Sequence, residues 1–277
     1  MRRALHWIAR PLALAIALSL AIPLLCPLLE AAPRARYLAY ARASADWTYA
    51  HRAELLDQWR KTFDPLNVFG YRAPGGLLEM AVIYATLYEK ERRPEYAARA
   101  KEVLLTYGDY RSIYPASSIA LRSDYAGGVP ALPDFFTVMR YVRTFDVLRR
   151  LGRLTPSDEA AAAETIAGSM RYLLRTAEWG PMNRSALRAE SLAWAVRALP
   201  KHPEAARWEM QRRALGDDNW GNWQIEDATI YNGVWLYSLL GYADALGRMP
   251  ELFATPEWRY YGQYYVRLMS PAGMVPD

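Results

Sequence analysis

"EWGPMNRSALRAESLAWAVRALPKHPEAARWE", residues 178–209, carries the spacing of two helices with the break ALPKHPE between them. Apolar residues recur every three or four positions on either side, which is what one face of an α-helix requires. Pro200 and Pro203 interrupt that pattern, because a proline lacks the N–H and clashes with the preceding turn. The spacing predicts helices over 184–199 and 203–214 joined by a terse turn, an antiparallel helical hairpin. The same pattern extends in both directions, over 48–62, 75–91, 94–106, 131–151, 156–178, 226–247 and 256–269, and no alternating strand run interrupts it. Thr155 followed by Pro156 and Asp158 predicts a capped helix start, and Gly152 and Gly247 mark helix ends. The expected fold class is all-α.

The connections are of two kinds. "LGRLTP" and "ALPKHPE" are terse, whereas "YPASSIALRSDYAGGVPALP" and "GDDNWGNWQ" are long and rich in Tyr, Asp, Asn and Gly. Plain turns on one rim and polar loops on the other suit an incomplete (α/α) toroid of antiparallel helical hairpins over residues 46–277. No repeat of fixed period occurs, which argues against tetratricopeptide and ankyrin arrays.

Composition narrows the function classes. A chain of 277 residues with 52% hydrophobic content buries a core of ordinary size. The net charge is +5, but Arg2, Arg3, Arg10, Arg34 and Arg36 all fall at the start, so the remainder lacks the concentrated basic face that nucleic acid requires. The run from Arg140 to Arg153 has the spacing of a solvated helix face. Residues 1–32 follow the grammar of an export signal, basic then apolar then small, and predict a periplasmic or secreted protein. Retention of the apolar run, residues 11–29, as a single membrane anchor is the alternative. Cys26 is the sole cysteine and lies inside that run, so disulfides, thiol catalysis and cysteine-ligated zinc are excluded from the domain itself. His51 fits a structural place on an early helix, and no His/Asp/Glu spacing matches a zinc site. Phosphate-loop and G-x-S-x-G patterns are likewise missing, and no cofactor is expected.

The opening stretch, taken with "DDNWGNWQIEDATIYNGVWLYSLLGYADALG", resembles the toroidal domain of heparinase II/III-like and alginate-lyase-like polysaccharide lyases. In that family an Asn opens an inner helix and a later acidic motif followed by a Tyr opens another; the matching positions are Asn183, and Glu226, Asp227 and Tyr231. Many such lyases place a His beside the Asn, where this chain has Arg184. Relatives also continue into a β-sandwich, which this chain, ending at Asp277, is expected to lack.

The resemblance implies an acidic, uronate-containing polysaccharide as partner and β-elimination as the reaction. That chemistry needs donors that neutralise the uronate carboxylate, a base for the α-carbon proton and an acid for the leaving oxygen. Asn183 is expected to neutralise the carboxylate with Arg184 beside it, and Tyr231 to move the proton. Tyr231 shares a helix face with Asp227 and Trp235. Trp220 and Trp223, flanking Asn222, are expected to offer ring faces to sugars from a loop. Glu226 and Asp227 are expected to orient Arg184 or a sugar hydroxyl, and Arg122, Asp124 and Tyr125 to line the opposite wall. The alternatives are an inverting glycoside hydrolase, with Asp124 and Glu226 or Asp227 about 6.5–9.5 Å apart, and a non-catalytic glycan-binding or scaffold protein.

Overall fold

The computed structural model describes residues 34–61, 73–107, 137–175, 177–178, 180–223 and 229–268. Among them there are helices and turns and no strand, so the protein is all-α as its periodicity requires. The chain divides into two compact units, Met1–Trp47 and Thr48–Asp277. Within the first, residues 34–47 are helical; residues 1–32, expected as signal or anchor, lie outside the described residues. No described helix is long and apolar enough to cross a membrane.

The second unit is built from α1 (Arg52–Lys61), α2 (Ala73–Glu91), α3 (Pro94–Thr106), α4 (Val138–Arg150) and α5 (Pro156–Leu173), then α6 (Asn183–Ala198), α7 (Ala205–Gly221), α8 (Thr229–Leu246), α9 (Met249–Ala254) and α10 (Pro256–Leu268). Alternate helices form the inner run: α2 packs on α4, α4 on α6 and α6 on α8. The helices between them lie over their neighbours, α3 on α2 and α4, α5 on α4 and α6, and α7 on α6.

Local chemistry sets the helix ends. Thr155 accepts a hydrogen bond from the Asp158 N–H, and the Asp158 carboxylate accepts one from the Thr155 N–H, closing a capping box before Pro156. At the far end of α4 the Gly152 N–H bonds Arg149 O and the Arg153 N–H bonds Leu148 O. Gly152 adopts φ +65°, the left-handed turn such an end needs.

Helix α6 is the centre of the packing. Nearly all of its residues are buried, because α4, α5, α7 and α8 surround it, and its many Ala and Ser side chains let those neighbours come close. Leu187 and Leu192 fill the remaining space, and each buried leucine contributes about 1.5–3 kcal/mol. Gly216 of α7 meets the Tyr242 ring of α8 so tightly that a Cβ there would lie 2.2 Å from the ring and its hydroxyl oxygen.

Several boundaries differ from expectation. Helix α5 stops at Leu173 rather than at 178, which frees Glu178 from the helix. Helix α7 runs on to Gly221 rather than stopping at 214, because buried Asn219 and half-buried Trp220 find partners on its inward side. The stretch after Gly247 holds an extra short helix, α9, before α10.

Candidate functional site

The expected site begins at the start of α6. Asn183 is its first helical residue and is 7% exposed; the cap position falls on Met182, whose backbone is extended. Ser185 supplies the reciprocal bond, accepting from the Met182 N–H at 3.3 Å. Asn183 is thus buried in the first turn, where a cap residue was the alternative to a carboxylate donor. Arg184 pairs with Glu178 at 2.6 Å. Tyr231 is 52% exposed on α8, and no hydrogen bond, ion pair or ring contact of the described residues joins it to Asn183 or Arg184. Arg122, Asp124, Tyr125, Glu226 and Asp227 lie outside the described residues.

The three tryptophans expected at the site make contacts within the fold, Trp235 buried and Trp220 and Trp223 half-buried. Trp235 is 1% exposed and donates its indole N–H to Asn219 Oδ1 at 2.7 Å, while Asn219 donates to Ser185 Oγ at 2.9 Å. This buried chain of bonds fastens α8 to α7 and α7 to α6. Trp223 meets Trp235 edge-on and stacks on Tyr261. Trp220 lies on helix α7 rather than in a loop, with the Arg248 guanidinium 4.2 Å from its ring centre. Asn222 folds back onto Asp218, bonding its backbone and carboxylate oxygens, and so closes the end of α7.

A different polar centre occupies the flank of α6 that faces α4 and α8. Glu190 is 2% exposed, and its Oε2 has no hydrogen-bond partner among the described residues. It lies against bare backbone: a Cβ on Gly241 of α8 would fall 1.9 Å from Glu190 Oε1. Burial pushes the Glu190 carboxyl up to about 8, opposed by the positive charges of Arg143 and Arg140 and reinforced by Asp244. A carboxyl so placed is protonated over most of the neutral range.

The surroundings come from all of the inner helices. Arg143 of α4 pairs with Asp244 of α8 at 3.0 Å and lies over the Trp194 ring of α6. Arg197 covers Trp194 as well and donates to Asp244 O at 3.1 Å, while its Nε lies 3.6 Å from buried Asp146. Tyr237 of α8 is half-exposed; its phenol is pushed above the ordinary tyrosine range by burial first and by the Glu190 charge second, with Arg140 and Arg143 opposing and Glu79 of α2 adding. The basic run from Arg140 is therefore more than a solvated face: Arg143 and Arg150 hold carboxylates of other helices, Asp244 and Glu89.

Sequence reasoning missed this centre because Glu190 and Tyr237 carry no motif. The available signal was a lone carboxylate within "ALRAESLAWAV", where the neighbouring positions are small or apolar and call for burial.

No group of three or more His, Cys, Asp or Glu side chains is placed to hold a metal among the described residues. Fold and site together define an all-α protein whose polar centre is a buried carboxyl beside a tyrosine and two arginines. No protein-family model matches this chain, and neither a curated protein nor a solved structure does.

Proposed function

We propose that this chain is an exported (α/α) toroid-type protein that binds a uronate-containing acidic polysaccharide and cleaves it by β-elimination, at the centre around Glu190 and Tyr237. The alternation of inner and outer helices supports the architecture. The single observation that carries the chemistry is a buried carboxyl, Glu190, set against the bare backbone of Gly241 with one oxygen lacking a hydrogen-bond partner among the described residues, and burial there pushes it up to about 8. Titratable groups tuned by burial and by specific charges mark sites of proton transfer more often than ordinary surfaces do.

The roles follow from charge and exposure. Arg140 and Arg143 supply positive charge for a uronate carboxylate, which makes the α-carbon proton easier to remove. Tyr237, half-exposed, carries the proton across: as phenolate it takes the α-carbon proton, and the phenol so formed gives that proton to the leaving oxygen. Glu190 is a positioning residue behind it, able to take up or release a proton near neutrality without itself meeting bulk water. Asn183, Arg184 and Tyr231 are not required in this arrangement.

The test is incubation with alginate, heparan sulfate and other uronate polymers, following the ultraviolet absorbance of an unsaturated uronate. Absorbance that disappears in Tyr237→Phe, with polymer binding retained, is the expected result. Reducing ends without that absorbance would establish hydrolysis instead, and binding without any product would leave a glycan-binding protein.

A further inference from the structure

The flank of α6 turned away from Glu190 borders a cleft of about 280 Å³. Arg188 and Leu192 reach it from α6, two residues on from Arg188 being Glu190 on the opposite side, as about 100° per residue requires. The end of α5 and the segment after it contribute Leu173, Arg175 and Glu178, and α7 closes the cleft with Arg207 and Leu215.

Its electrostatics are unbalanced. Arg188 is 7% exposed, donates to Leu173 O at 3.1 Å and lies 3.2 Å from Glu178. Glu178, itself buried, also takes Arg184, so one carboxylate answers two guanidiniums. Arg175 and Arg207 line the same cleft, and neither has an ion pair among the described residues. The lining thus holds three guanidiniums against one carboxylate, with leucines between them. Guanidiniums in excess of carboxylates call for an anion, since hydrogen bonds between ionised partners are about twice as strong as neutral ones. Leucine walls call for an apolar body, because they gain nothing from sugar hydroxyls.

We propose that this cleft is a binding site for a small organic anion that joins a carboxylate or phosphate head to an apolar body. Arg175, Arg188 and Arg207 hold the head, while Leu173, Leu192 and Leu215 enclose the body. The site is independent of the polysaccharide reading: it uses other residues, on the other flank of α6, and takes a ligand of different polarity.

The experiment is calorimetric titration of the full chain with phenyl phosphate, benzoate, inorganic phosphate and glucuronate. Phenyl phosphate or benzoate is expected to bind at least roughly tenfold more tightly than the inorganic ion or the sugar acid, because of the buried ring. Arg207→Glu and Arg175→Glu, both at exposed positions and checked for native helicity, are each expected to weaken that binding by about tenfold or more, since each turns a charge-assisted contact into a repulsion. Retained affinity in both variants, or no binding of either aryl anion, would overturn the site. Equal binding of inorganic phosphate would overturn the apolar body, and equal binding of glucuronate would make the cleft a sugar subsite. Loss of lyase activity in Tyr237→Phe leaves all of these titrations unchanged.

Discussion

Glu190 shows how one side chain concentrates the chemistry of this molecule. Its carboxyl is removed from water, yet the nearest cations do not neutralise it fully, so it holds a proton up to about 8. A carboxyl whose folded value is raised above its ordinary 4.5 keeps an extra proton in the native state, so its contribution to stability is lost as pH rises from that value through about 8. Arg140, Arg143, Asp244 and Tyr237 surround it. Wild-type protein is therefore expected to melt at progressively lower temperature between pH 5 and pH 8, with a shallower fall in Glu190→Gln. Parallel melting curves for the two proteins would refute the assignment. Gly241 belongs to the same arrangement. In Gly241→Ala the new methyl group must displace the carboxyl, so the steepness of the stability profile is expected to fall, and with it the elimination activity proposed for this centre.

The elements owe their ends to local chemistry and their places to close packing. The capping box at Thr155 satisfies two backbone N–H groups that the helix cannot satisfy internally. Thr155→Ala is expected to lower unfolding stability by about 1 kcal/mol, measured by denaturant melts. Gly216 illustrates the other constraint. Helices α7 and α8 approach closely there because nothing projects from Gly216 toward Tyr242, whose hydroxyl in turn accepts a bond from Arg212. Gly216→Ala is expected to cost about 1–3 kcal/mol by overpacking, and Tyr242→Phe should add little to it if the ring rather than the hydroxyl is what clashes. Both features bear on how legible the helices were. Thr155, Gly152 and Gly247 announced their turns because caps are local; the extension of α7 past 214 did not, since Asn219 and Trp220 are held by residues of other helices.

At the scale of the whole second unit, the central fastening is the bond chain from Trp235 through Asn219 to Ser185, which ties three helices in a dry interior. Trp235→Phe leaves Asn219 Oδ1 without its donor, and is expected to destabilise the fold by about 1–3 kcal/mol. A melting temperature unchanged in that variant would show that the fastening lies elsewhere. Helix order and the all-α class could be recovered from periodicity alone, because a buried helix face must repeat its apolar residues at helical spacing. The residues proposed for the site could not. Asn183, Trp223 and Trp235 looked chemically apt in the chain, yet burial places the first in an opening turn and sets the others against rings and amides. Glu190 and Tyr237 are far apart along the chain and ordinary in isolation; they become coupled only where α6 packs on α8 at Gly241. Which segments are helical was therefore determined by the sequence itself, through forces acting within a turn or two. Which side chains share a low-dielectric space was decided by tertiary packing, because desolvation and unlike charges act through distance in space and not through distance along the chain.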